Sequence, residues 1–320
     1  MSDATAVTFG GRAAQSFTVV NSSTIQAQAP VGTIGTAQVA VASASGVSPG
    51  NSPDDLFVYV GVWFAYETNA DDGTVTVINI ANNTAGFTIP VGNQPNGIAI
   101  TPDTKTAYVV NFGSNDVTPI DLATNTPGDP IPVGGQPVAI AITIDGKTAF
   151  VTNQLSNDVT PIDLATNTPE TSFPVGLSPI SIAATPNNII GYVANFDESD
   201  ITVFDMTTKT PSPTTIQNQN NPAGIAMTPG SQTAYVSNNL SNTVTPINIA
   251  TGAPGTPIPV GFQPVGIAIT SSGAKAFVAT TSPVVTPIDL ANNTPQPSIN
   301  VGDISTTIAI TPEIRRRTRL

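Results

Sequence analysis

Asp197-Glu198-Ser199-Asp200 is the densest acidic run in this 320-residue chain, and oxygen ligands of this kind suit calcium. The run lacks the twelve-residue spacing of an EF-hand loop, and one short segment supplies few ligands unless neighbours add theirs. Asp197, Glu198 and Asp200 are therefore the candidate metal ligands. A second set recurs along the chain. Asn111, Asn153, Asn195 and Asn238 each close an apolar segment, and Asp116 and Asp158 follow shortly after the first two. Gathered on one face, these residues would form a polar, mildly acidic surface for a cation, a glycan or a protein. The same pattern also serves local structure, because Asn at a strand end satisfies turn backbone groups and Asp keeps a hairpin solvated.

Composition removes whole classes of chemistry. The chain has no cysteine, hence no disulfide, no thiolate nucleophile and no Cys-ligated zinc or iron–sulfur cluster. It has no histidine, the side chain that titrates near neutrality, so Ser-His-Asp and Cys-His catalysis and His-ligated haem are excluded. No residue set reads as catalytic, and none reads as holding an organic cofactor. The net charge is −12, and four of the nine basic residues, Arg315, Arg316, Arg317 and Arg319, crowd the last six positions. The body therefore has too few cations to neutralise a phosphate backbone, which excludes nucleic acid as a partner. Residues 313–320 read as a short disordered basic tail, with contact to an anionic surface as the alternative. No apolar run approaches the ~20 residues of a membrane helix. Met1-Ser2-Asp3-Ala4 has neither the basic nor the apolar region of a signal peptide.

The elements that must position these residues come from a repeat. Pro95-Asn96-Gly97-Ile98 recurs at Pro137, Pro179, Pro222 and Pro264, at spacings of 42, 42, 43 and 42 residues. A period near 42 fits helical HEAT or armadillo arrays and β-propellers. Each unit is rich in Pro and Gly, and its apolar segments are short and full of Val, Ile and Thr, so helices are excluded. Four strands per unit are expected: Gly97–Thr101, Ala107–Asn111, Asp116–Leu122 and a short one at Ile131–Gly134. Pro90, Pro132, Pro174 and Pro259 fall in the outermost strand, where a missing N–H costs no ladder bond. Pro119, Pro161, Pro246 and Pro287 fall inside the third strand. They predict either a bulge there or a fourth strand too short to pair at that residue.

Ala149-Phe150-Val151-Thr152-Asn153, Tyr192-Val193-Ala194-Asn195 and Tyr235-Val236-Ser237-Asn238 resemble the YVTN repeat of a β-propeller family that includes surface-layer and YncE-like proteins. The resemblance covers roughly Val58 to Pro312. It implies an all-β propeller over 61–312; members of that family usually have seven blades, but six of each strand type are counted in this sequence, so six blades are expected and seven is the less favoured count. The ring would be closed by Thr307-Ile308-Ala309-Ile310-Thr311 joining the sheet that begins at Val62-Trp63-Phe64, with Trp63 packed against that closing strand. Residues 1–60 are similar to the later half of an IPT/TIG domain, an immunoglobulin-like module. The missing early strands imply an N-terminus truncated within that domain, the favoured reading, or a gap filled by another chain.

These resemblances imply a non-catalytic interaction or structural scaffold, extracellular or at the cell surface, with a protein or glycan partner; the acidic run makes calcium the one metal to consider. Charged residues make up only 9% of the chain, so its surface must rely on Thr, Asn, Ser and Gln, which agrees with that setting. The alternative is a lactonase-type propeller enzyme, which needs a metal or carboxylates converging at the mouth of the channel. A third reading is a purely structural array element or a degenerate fragment. Streptogramin-lyase-like chemistry relies on histidine and is excluded.

Overall fold

The computed structural model describes residues 4–9, 12–14, 16–21, 24–28, 35–43, 46–47, 56–59, 64–80, 83–217, 219–302, 307–308 and 310. Every regular element among them is a β-strand. The chain divides into two compact units, Met1–Ala65 with Ile78–Ala85, and Tyr66–Val77 with Gly86–Leu320. In the first unit Ala4–Phe9 pairs antiparallel with both Arg12–Ala13 and Gly35–Ser43, and the latter also pairs with Gly46–Val47 and Leu56–Tyr59. Ser16–Asn21 and Thr24–Gln28 form a separate hairpin.

The second unit repeats one sheet. In the second repeat Pro95–Ile100, Thr106–Asn111 and Asp116–Asp121 pair in order and antiparallel. Thr126–Pro127 and Ile131–Pro132 both lie along the third strand. The same order recurs from Pro137, Pro179, Pro222 and Pro264, while the first repeat contributes three strands, Phe64–Asn69, Thr74–Asn79 and Thr84–Pro90. Thr307, Ile308 and Ile310 belong to no strand, so the expected closing strand is not formed by its described residues. Trp63, Ala309, Thr311 and the arginine tail lie outside the described residues.

The third-strand prolines face a break in the fourth strand, a break that the fourth repeat also has with Val203 at the same position. Register between the second and third strands is unbroken, with Tyr108 opposite Pro119, so no bulge forms there. Instead the fourth strand splits into two dipeptides that flank the proline, and Gly128 N donates to the Pro119 carbonyl at 2.7 Å. The bulges sit elsewhere, at the start of each first strand, between Pro95 and Ile98 and at equivalent points.

Side chains alternate across the second strand, so one strand feeds two cores. Ala107 and Val109 pack with Val75, Val77 and Ile89 of the first repeat, while Tyr108 and Val110 pack with Ala149, Val151 and Ile162 of the third. The arrangement recurs between each later pair. First strands of successive repeats touch one another, Pro95–Ile100 with Pro137–Ile142 and onward to Pro264–Ile269. The approach is close enough that a Cβ on Gly97 would lie 2.7 Å from the Val138 carbonyl oxygen, and one on Gly224 2.3 Å from that of Val265.

Candidate functional site

The hairpins between second and third strands share a face with the connectors that lead into each first strand. Phe112 N and Gly113 N donate to the carbonyls of Gln94 and Asn93, and the later repeats form the same pair of bonds at Gln154 and Leu155 and at Phe196 and Asp197. The hairpin residues Asn115, Asn157 and Asn242 take positive φ of 58, 57 and 57°, which Asn tolerates. Their Oδ1 atoms accept from the next connector, from Gln136 N at 2.7 Å, Ser178 N at 2.9 Å and Gln263 N at 2.7 Å. Each hairpin thus clamps the start of the following sheet.

Asn111, Asn153, Asn195 and Asn238 lie on this side of the sheets but do not face solvent, being at most 2% exposed. This corrects the reading of them as a binding surface. Asn111 and Asp116 are directly opposite each other across the hairpin, so the amide Nδ2 reaches Asp116 Oδ1 at 2.6 Å and Thr118 Oγ1 at 2.9 Å. Asn153 bonds Asp158 and Thr160 in the same way, and Asn195 bonds Asp200 and Thr202. In the fifth repeat Thr243 replaces the aspartate, and Asn238 keeps a 2.8 Å bond to Thr245. The amides therefore hold side chains of the third strand, not turn backbone. Their Oδ1 atoms accept nothing from the protein, an arrangement that recurs in four repeats and so belongs to the fold. Glycines cover them: a Cβ on Gly134 would lie 2.7 Å from Asn153 Cγ, and one on Gly176 2.6 Å from Asn195 Cγ.

The three acids of the run turn to separate partners. Asp200 is buried and accepts from Asn195 Nδ2 at 2.8 Å and Gln217 Nε2 at 3.1 Å. Asp197 is hydrogen-bonded to the Ser178 hydroxyl, and Glu198 accepts from Leu177 N at 3.0 Å. Among the described residues no three Asp or Glu side chains gather as a metal-binding group.

What stands out from this face is apolar. Leu155 and Leu240, in hairpins, and Leu177 and Phe262, in connectors, are each more than half exposed. Leu155 and Leu177 border one shallow cleft with Gln136, Gln154, Ser178 and Asp197. Sequence reasoning passed over them, although aligned repeats show the signal: the connector position is Asn93, Gly135, Leu177, Asn220 and Phe262 in turn.

No family model matches the chain, and no curated protein matches it. Solved structures do. Hydrazine synthase of Kuenenia stuttgartiensis superposes with a TM-score of 0.70 at 19% identity, over 76% of this chain and 85% of that one. The dihydro-heme d1 dehydrogenase NirN, solved in complex with DHE, gives 0.61 at 17% identity, over 76% of this chain and 55% of that one. At such identity the likeness shows the fold alone, and with 1722 matching chains the fold selects no activity. Together with the repeated antiparallel sheets, it shows a β-propeller.

Proposed function

We propose that the chain is a non-catalytic interaction scaffold, secreted or at the cell surface. In this reading the propeller has six blades of the YVTN type, and residues 1–60 are part of an IPT/TIG-like domain. Four exposed apolar side chains carry the reading: Leu155, Leu177, Leu240 and Phe262 stand at the tips of the hairpin face, while the polar residues beside them are engaged within the fold. Apolar residues exposed in groups mark contact surfaces, and a protein partner at the cell surface fits them better than a cation. Residues 116, 158 and 200 are bound to amides, which supports a scaffold over a lactonase-type centre.

The test is binding of the labelled full chain to intact cells and to isolated envelope proteins, beside an L177D/F262D variant. The expected result is at least about tenfold weaker binding by the variant, the loss of roughly 1.4 kcal/mol of contact energy, with an unchanged melting temperature. Equal binding by both proteins would overturn the assigned face. Lactone hydrolysis by the chain in the presence of calcium would overturn the non-catalytic assignment.

A further inference from the structure

We propose that the gap between the fourth and fifth repeats binds a neutral ligand carrying an amide carbonyl, of the class of N-acetylated hexosamines. The starting point is a contact that other repeats make. Tyr108 donates its hydroxyl to Asn167 Oδ1 at 2.6 Å, Tyr235 to Asn293 Oδ1 at 2.7 Å, and Tyr66 to Asn125 Oδ1 at 3.3 Å. Each acceptor sits in the turn after the third strand of the next repeat, at φ of 54 or 55°. The third repeat has Phe150 and no hydroxyl, and the turn position facing it is Lys209. The fourth repeat keeps the hydroxyl, on Tyr192, but the fifth places Gly252 in the turn, at φ 67°.

Tyr192 has therefore lost the acceptor its counterparts use. Its hydroxyl is left 3.5 Å from the Ile249 carbonyl, well beyond the usual ~2.7–2.8 Å of an O–H···O bond. The side chain is 1% exposed, and burial pushes its pKa above the ordinary tyrosine value, so it remains a proton donor. Nothing lies within 4 Å of the point where a Cβ on Gly252 would be.

A second departure from the repeat meets the first. Thr210 and Pro222 are 12 residues apart, whereas Thr126 and Pro137, and Thr168 and Pro179, are 11 apart. The longer segment forms a wall of a cavity of about 380 Å³ that Tyr192 and Gly252 also line. That volume falls in the ~300–1,000 Å³ range of small-molecule clefts. Its polar groups include the hydroxyls of Ser212, Thr214, Thr215 and Thr251, set beside apolar Ile249 and Pro254, with no charged side chain in the lining.

The chemistry of the ligand follows from what is missing. Elsewhere the tyrosine hydroxyl meets the carbonyl of an Asn amide, so a ligand acetamido carbonyl takes that place. Serine and threonine hydroxyls match sugar hydroxyls, and an uncharged lining disfavours ionic ligands. The cavity lies at the outer strands, so it stands or falls separately from the hairpin face.

The experiment is an NMR titration of the full chain with N-acetylglucosamine, with glucose as the probe lacking the acetamido group. N-Acetylglucosamine is expected to shift the amide resonances of Thr215, Thr251 and Gly252, and glucose is not. Gly252→Asn restores the side chain of the sister repeats at a φ that Asn adopts there. It is expected to abolish the shifts and, by making one hydrogen bond, to raise the melting temperature by about 2–4 °C. Tyr192→Phe is expected to weaken binding about tenfold while leaving the melting temperature in place, since its hydroxyl makes no good bond in the free protein. No shift with N-acetylglucosamine, equal shifts with glucose, or binding retained in Gly252→Asn would each overturn the assignment.

Discussion

The contact between the second and third repeats and the contact between the third and fourth follow one plan with different residues. In the former, Ala149 and Ile162 of the third repeat meet Tyr108, whose hydroxyl bonds Asn167 across the junction. In the latter the alanine position is Gly191 and the isoleucine position is Phe204, which packs against Phe150 and Phe173 with ring centroids 5.1 and 5.0 Å away. These are the tilted geometries aromatic pairs prefer. The hydroxyl is gone, the turn Asn has become Lys209, and Lys209 pairs instead with Glu170 of the neighbouring repeat. Volume has moved from one strand to the next within a repeat, and the polar tie has moved with it. A junction is thus a set of residues that change together, and a repeat that changes only one of them leaves a gap.

The most disruptive way to break the comparison is Gly191→Ala. Its Cβ would lie 2.1 Å from the Phe204 ring, and a well-packed ring has no room to yield. A loss of about 1–3 kcal/mol is expected, typical of overpacking, read as a fall in thermal midpoint. The double variant G191A/F204I rebuilds the Ala–Ile pair of the neighbouring junction and should recover part of that loss. A double variant no better than the sum of the single changes would show that the two positions are not coupled.

Much of this architecture was legible in sequence. The 42-residue period, the short β-branched segments and the outer prolines specify repeated four-stranded sheets, because each is a local signal. The split of the fourth strand was readable from Pro119, whose missing N–H had to face a break in pairing. The candidate site was read less well. Asn111, Asp116 and Thr118 fit solvent-facing turn chemistry by type, and only the hairpin register shows that they face each other in a buried row. The Tyr108–Asn167 tie spans 59 residues and joins two repeats, so no local pattern reveals it. Leu177 and Phe262 were visible as departures at one aligned position, but their exposure depends on the connector's place at the edge of the face.

A milder change sharpens the comparison. Tyr108→Phe converts the Tyr–Asn junction toward the third repeat's own solution without supplying its lysine. The Asn167 amide then loses a 2.6 Å partner, and about 1 kcal/mol of stability should go with it. Measured by denaturant midpoint, Tyr108→Phe should cost clearly more than Tyr192→Phe. Equal costs would mean that the cross-repeat bond contributes nothing.

The smallest expected effect separates the second and fourth repeats from the fifth by pH. Asp121 ends the third strand of the second repeat, and its carboxylate accepts from Thr124 N at 2.9 Å and Ala123 N at 2.8 Å. Those donors, Thr124 first, hold its pKa below the ordinary 3.8. Asp205 is held down in the same way by Thr208 N and Thr207 N. The fifth repeat has Asn248 at this position, accepting from Thr251 N at 3.1 Å with no charge to lose. A depressed folded-state pKa means that the stabilisation is complete above 3.8 and disappears as pH falls through the lower folded value. Amide proton shifts of Thr124 and Thr208 should therefore titrate at a midpoint below 3.8, while that of Thr251 stays flat over the same interval. A midpoint at or above 3.8 for Thr124 would show that the backbone donors do not favour the carboxylate. Because these turns are open to water, the accompanying change in melting temperature should be small and should disappear for Asp121 in an Asp121→Asn variant.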